Sequence, residues 1–404
     1  PTSMTTTTRQ PFSAAQFALS LLAGLFLWLG AAGFVFLALA QGVLESWDAA
    51  LPFMLIAAGS GLAGALLFPS AYYALMRLQA RKPRVFPRLS PFALIWLWPL
   101  ALLLGFLALR VQFLALLLLP PLHLAAVGLP IWWLARIGER DLPSGSPQRR
   151  WGVFGSGLAL GPLLILFAEV LALVIFGILV ILLVASQPDL VAELQDLAAR
   201  LTAVESDPEA ALDALAPFLA RPGVIFAILL FGAGIVPLIE EALKPVGVWL
   251  LAGKDLSPAS GFAAGVLSGA GYALFESLSL TSASEAWAPV VVARVGTALI
   301  HIFTTGITGW ALALAWRKKQ YLLLGGVYLF AVLIHGLWNG FTLATTLNEF
   351  NSADLGWLTV AGQLGPFVMV ALALACFGGL IAANHALRRQ AQAETEAQRD
   401  LTEL

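Results

Sequence analysis

The sequence predicts an all-α, polytopic integral membrane protein of about ten transmembrane helices with both termini cytoplasmic. Three observations predict it. Hydrophobic residues make up 60% and charged residues 11% of the 404, with a mean hydropathy of +0.88, whereas a soluble domain carries about 25% charged residues. Ten apolar runs reach the length of about 20 residues that a spanning helix needs. The basic residues fall in alternate loops. A net charge of -1 argues against nucleic acid as a partner, and the one cysteine, Cys376, cannot form an internal disulfide.

The runs cover residues 14–40, 50–76, 91–109, 112–135, 152–185, 223–251, 258–281, 288–316, 321–346 and 356–386. Several exceed one bilayer thickness, so tilts and kinks are expected. Pro1–Ser3, ahead of Met4, reads as a cloning remnant, and the first run is too long for the apolar stretch of a cleavable signal. Arg77, Arg81, Lys82, Arg84 and Arg88 fill the second loop. Arg136, Arg140, Arg149 and Arg150 fill the fourth, Arg317–Lys319 the eighth, and Arg388 and Arg389 begin the tail. The opposite loops hold Glu45, Asp48, Glu285, Glu349 and Asp354. Excess Lys and Arg mark the cytoplasmic side, which gives a multi-pass protein of the inner (plasma) membrane. Arg110 alone separates the third and fourth runs, and merging them would break the alternation.

These patterns divide the chain into a cytoplasmic segment (1–13), an accessory five-helix region (14–186), an extracytoplasmic segment (187–222), a motif-bearing core (223–387) and a cytoplasmic tail (388–404). The segment 187–222 is too polar to span. Leu190, Leu194, Leu197 and Leu201 share one helical face there, the pattern of an amphipathic helix outside the membrane. The two halves show no internal repeat, against the common transporter plan.

A charged residue at the centre of a membrane helix costs about 2.5–3.5 kcal/mol, so the positions of such residues are informative. The first three runs hold almost none. His123 and Glu169 occupy the fourth and fifth; a helix–helix hydrogen bond suits the first, and a structural or gating role the second. The sixth to ninth runs gather Glu240, Glu241, Lys244, Glu276, Arg294, His301, His335 and Asn339.

In PLIEEALKPVG (237–247), Glu240 and Lys244 stand i,i+4 and Glu241 and Lys244 i,i+3, so the lysine can meet either carboxylate. It can neutralise only one. The other needs a second cation, a metal, a proton or water, and a carboxylate so placed suits general acid or base work. A structural salt bridge plus a boundary glutamate is the plainer alternative. Pro237 and Pro245 bracket the motif and free helix carbonyls, a feature tolerated at membrane depth where backbone lines a cavity.

Gly261, Gly265 and Gly269 recur every fourth residue and allow a neighbouring helix close. Glu276, two turns beyond Gly269, falls near the same face, with Tyr272 one turn before it. Arg294 and His301 share a face; the arginine can pair with Glu276 or snorkel outward. His335 and Asn339 are again i,i+4. Histidines with carboxylates suit a borderline metal such as zinc. They suit equally a metal-free site in which a glutamate activates water and histidine plus asparagine stabilise an oxyanion. The soluble H-E-x-x-H signature is absent.

These residues resemble a known family. EEALK (240–244) is similar to the E-E-x-x-K motif of the PrsW intramembrane proteases, relatives of the CAAX-prenyl endopeptidases and the bacteriocin-immunity membrane proteins. YALFE (272–276) resembles their aromatic-x-x-x-E element, with Tyr272 where phenylalanine is common. HGLWN (335–339) resembles a later H-x-x-x-N element, and His301 corresponds to an additional histidine. The resemblance covers roughly residues 225–345. It implies an endopeptidase acting on membrane-associated proteins, such as an anti-sigma factor or another single-span protein, within the lipid bilayer. Its catalytic set would be Glu240, Glu241, Lys244, Glu276, His301, His335 and Asn339. In a metal-dependent site zinc is the implied cofactor, with Glu241, Glu276, His301 and His335 as its ligands. A proton- or ion-coupled transporter and a non-catalytic membrane scaffold are the competing readings. Simple rise counting puts Glu276 nearer the outer surface than Glu240, so one shared site requires shifted or broken helices.

Overall fold

Inside lipid a backbone must satisfy its own hydrogen bonds, which leaves a hydrophobic chain of this kind the α-helix. The computed structural model describes residues 11–84, 89–204, 208–279, 284–350 and 355–403, and these hold helices and turns without a strand. Pro1–Ser3 and Met4, Arg88 and Asp354 lie outside the described residues, as do 205–207 of the extracytoplasmic segment and Leu404 of the tail.

The helices are α1 (Pro11–Leu44), α2 (Trp47–Leu78), α3 (Pro91–Leu94), α4 (Trp98–Ala108), α5 (Gln112–Gly138), α6 (Pro147–Gly155) and α7 (Gly161–Ala185). There follow α8 (Pro188–Ala203), α9 (Pro208–Leu219), α10 (Pro222–Leu229), α11 (Val236–Leu243), α12 (Val246–Trp249), α13 (Pro258–Ser279), α14 (Trp287–Lys318), α15 (Tyr321–Asn348) and α16 (Gly356–Glu403). Short 3-10 or π turns join α3 to α4, α6 to α7 and α10 to α11. Nine helical stretches among the described residues are long and apolar enough to cross a membrane. The tenth expected span is α13, rich in glycine, alanine and serine, with 19 of its 22 residues buried. Helices α4 and α5 are separate, divided by a turn at Leu109–Val111.

The described chain forms two compact units. The first comprises residues up to Pro162, Lys244–Leu324 and Gly378 onward; the second comprises Leu163–Leu243 and Gly325–Phe377. Both therefore draw on the accessory region and on the motif-bearing core.

In the first unit the glycine ladder seats α13 on α14. A Cβ added to Gly261, Gly265 or Gly269 would stand 2.4, 2.2 and 2.6 Å from the carbonyl oxygens of Gly309, Thr305 and His301. On another side of α13, Gly157 and Gly271 allow equally close approach to Ser268 and Phe154. Polar clamps tie the remaining helices. Gln16 Nε2 donates to Ser70 Oγ and the Gln148 carbonyl, both at 3.0 Å, joining α1, α2 and α6. Buried Glu139 accepts from Arg136 and Arg150, and Asn384 of α16 donates to the Gly138 and Arg140 carbonyls.

In the second unit, Ile225, Ala344, Leu347 and Leu358 form the core between α10, α15 and α16. Helix α8 turns Leu190, Leu194, Leu197 and Leu201 inward as its more buried face, and Arg221 pairs with Glu193 of that helix. Helix α7 leaves most of its large aliphatic side chains exposed, as a lipid-facing helix does.

Candidate functional site

The motif residues divide between the units. Glu240, Glu241, His335 and Asn339 belong to the second; Lys244, Glu276 and His301 belong to the first.

In the second unit the backbone is broken just before the acidic pair. Residues Leu230–Ile235 form a π-turn, a distortion that collects at functional sites. Pro237 has no N–H to give the Ala233 carbonyl. Helix α15 approaches that carbonyl at Gly336, where a Cβ would stand 2.5 Å from it. Asn339 Nδ2 donates to the neighbouring Gly232 carbonyl at 3.0 Å, and Tyr328 Oη donates to the Leu238 carbonyl at 2.8 Å. Helix α15 thus docks on the distorted stretch and presents His335 to the two glutamates. His335 Nδ1 lies 3.0 Å from Glu241 Oε1, and its Nε2 lies 3.9 Å from Glu240 Oε2. All three side chains are buried, Glu241 completely. An ionised carboxylate only accepts, so Nδ1 carries a hydrogen towards Glu241; in the neutral imidazole Nε2 then holds the lone pair. Glu240 and His335 Nε2 are then two electron-pair donors spaced beyond hydrogen-bond length and within the span of two ligand bonds of about 2.0–2.2 Å to one metal ion. Glu241 meets the opposite nitrogen of the ring, the position from which a carboxylate can orient an imidazole. This nitrogen–oxygen donor set fits zinc.

The first unit holds a linear chain of polar groups. Lys244 Nζ lies 2.8 Å from His301 Nδ1, and His301 Nε2 lies 2.7 Å from Glu276 Oε2. An ammonium can only donate, so His301 Nδ1 accepts and Nε2–H donates to the carboxylate. Arg294 Nη2 stands 2.8 Å from the same Oε2 atom. Arg294 therefore faces Glu276 rather than snorkelling outward. Tyr272 puts its ring edge-on to His301, centroids 5.2 Å apart, and Lys244 Nζ lies 5.0 Å from the centre of that ring. Lys244 and His301 are fully buried.

Two features set this chain: the Pro245 break that the sequence marked, and Ser268, which sequence reasoning passed over. Helix α11 ends at Leu243 because Pro245 drives the residue before it out of helical geometry, so the i,i+4 spacing expected of Lys244 stops one residue short. Ser268 of α13 then captures the open turn, donating to the Lys244 carbonyl at 2.7 Å and accepting from Gly247 N–H at 3.3 Å. Ser268 lies one residue before the last glycine of the ladder, a place where a buried hydroxyl facing a proline break could have been suspected. His123 accepts from Trp287 Nε1–H at 3.2 Å, the helix–helix hydrogen bond expected of it. Glu169 is half-buried on α7.

Comparison with known protein families gives a match. The family model described as PrsW family intramembrane metalloprotease matches residues 161–375, more than half of the chain and all seven motif residues. Neither the curated proteins nor the solved structures contain a match.

Proposed function

Since the chain belongs to the PrsW family of intramembrane metalloproteases, we propose that it hydrolyses peptide bonds of membrane-associated, single-span proteins from within the plasma membrane, both its termini cytoplasmic. The observation that carries the reading is the buried Glu240–His335–Glu241 arrangement, one imidazole held by one carboxylate and presented to another. Glu240 and His335 would hold a zinc ion, which supplies Lewis acidity for the peptide carbonyl and makes a water more acidic. This changes the expected ligand set. Glu240 takes the ligand place expected of Glu241, while Glu241 fixes the His335 tautomer and keeps Nε2 as an acceptor.

Proton handling falls to the chain's own groups. Glu240 would accept the proton of the attacking water; the water oxygen bonds to the carbonyl carbon, the C–N bond breaks, and that proton leaves on the new amine. In the first unit Lys244, His301 and Glu276 form an ordered series that Arg294 closes. Buried glutamate and histidine chains also serve proton-coupled transport, so it is the family match that favours hydrolysis.

Full-length protein reconstituted in liposomes with a labelled single-span substrate tests the reading. The wild type should cleave, while Glu241→Ala and His335→Ala should insert, melt near the wild-type temperature and cleave nothing. Undiminished cleavage by both variants, or none by wild type loaded with zinc, would sink it.

A further inference from the structure

Arg149 lies in the first turn of α6, on the basic side of the first unit, with no carboxylate to meet it. The loops between α5 and α6 and between α12 and α13 hold the carboxylates Glu139, Asp141 and Asp255. Each is paired with another arginine: Glu139 with Arg136 and Arg150, Asp141 with Arg140 and Arg388, and Asp255 with Arg317. Arg149 Nε and Nη2 are buried and have no hydrogen-bond partner. These nitrogens form one edge of the guanidinium fork, the edge that grips two oxygens of a carboxylate or phosphate. Leaving charged donors buried and unmet is costly. The turn before α6 is shaped around this side chain. Gly145 has a φ of +81°, and a Cβ added there would stand 2.7 Å from Arg149 Cδ, so glycine both makes the turn and lets the arginine lie across it. The first turn of α6 has no acidic residue, although the N-terminal end of a helix favours negative charge. Nearby cations add to the surplus: Arg77 donates to Gln148 Oε1 rather than to a carboxylate, and Lys254 Nζ lies 5.3 Å from the centre of the Phe12 ring.

We propose that Arg149 seats a phosphate group at the membrane surface, its Nε and Nη2 edge taking two phosphate oxygens. The side chain is part-exposed, so rotation about its own bonds brings that edge to an incoming anion without moving a helix. Trp151 follows two residues later, and tryptophan is enriched at the headgroup level of a bilayer. At that depth the phosphodiester of an anionic lipid is the nearest source, and a soluble phosphate is the other. The seat stands whether or not the chain cleaves peptide bonds.

Full-length protein in a maltoside detergent is titrated with a short-chain phosphatidylglycerol and, separately, with inorganic phosphate, and the rise in thermal midpoint reports binding. Wild type is compared with Arg149→Gln, with Arg149→Lys, which keeps the charge and loses the fork, and with Arg81→Gln, an exposed arginine of the loop after α2. Both Arg149 variants should bind the lipid about 10- to 100-fold more weakly, the loss of hydrogen bonds to a charged group, while Arg81→Gln stays within about threefold of wild type. Without lipid, Arg149→Gln should melt at or above the wild-type temperature, because it removes a buried charge that nothing meets. A response to the lipid alone assigns the seat to a headgroup; an equal response to inorganic phosphate, lost in the same variants, assigns it to a soluble phosphate, and both results keep the seat. Three results overturn it. No saturable response to either compound leaves no ligand. Wild-type affinity in Arg149→Lys leaves only diffuse charge. A midpoint collapsed by Arg149→Gln without lipid shows that the fold itself already satisfies the guanidinium.

Discussion

The two motif-bearing imidazoles are set in opposite ways. His301, on a helix locked by a glycine ladder, accepts from an ammonium at one nitrogen and donates to a carboxylate at the other. His335, on a helix docked against a π-turn, gives one nitrogen to Glu241 at 3.0 Å and holds the other 3.9 Å from Glu240. The first lies in a series that runs from Lys244 to Glu276; the second lies between two carboxylates. The difference teaches that a shared residue type and shared burial do not mean a shared role. What a membrane histidine can do is set by the groups that claim each of its nitrogens.

If that contrast is right, the largest loss falls on His335. Replacing it with alanine removes a zinc ligand and leaves Glu241 without the N–H it orients, and cleavage should fall by about 10³–10⁴-fold, the upper range for losing a positioned acid–base group. Cleavage within tenfold of wild type would erase the contrast. Next comes Glu240→Gln, which keeps shape and removes charge. Its zinc content after dialysis, measured by elemental analysis, should fall well below that of wild type, and activity should fall further than zinc content because the base is lost as well. Zinc retained in full by Glu240→Gln would move the ligand role to another side chain.

The fixed series should respond less. Glu276→Gln keeps an acceptor for His301 Nε2–H but removes the charge opposite Arg294, so kcat should drop by about 10²-fold while zinc content stays at the wild-type level. A loss of zinc in this variant would mean that Glu276 is a ligand after all, and the two imidazoles would then share one role.

Much of this contrast could be read from residues alone, because membrane helices advertise their exceptions. The apolar runs coincide with the helices, the glycine spacing in 261–269 is the contact with α14, and Leu197 with its neighbours marks the inward face of α8. What resisted reading was backbone geometry. A helical wheel assumes an unbroken helix, so it pairs Glu240 with Lys244; Pro245 ends α11 at Leu243 and Ser268 secures the turn that follows. The π-turn at Leu230–Ile235 lies where Gly232 and Gly234 hinted at irregularity without specifying its kind. The partners of each histidine nitrogen come from other helices, and no spacing along one chain segment carries that information.

The smallest effect supplies the control. His123 is a third buried imidazole, and its one described hydrogen bond is accepted from Trp287 Nε1 at 3.2 Å. The indole is fully buried and packs over Gly105, where an added Cβ would meet the ring at 2.3 Å. Trp287→Phe should keep most of that packing and lose the N–H donor. The expected cost is about 1–3 kcal/mol for the acceptor left unmet and the smaller ring, seen as a lower thermal midpoint. The kcat, KM and zinc content should match wild type, since neither residue touches the motif clusters. A hundredfold loss of kcat in a folded Trp287→Phe protein would show that burial and a single neutral partner suffice to make a histidine catalytic here, and the distinction drawn between His301 and His335 would lose its basis.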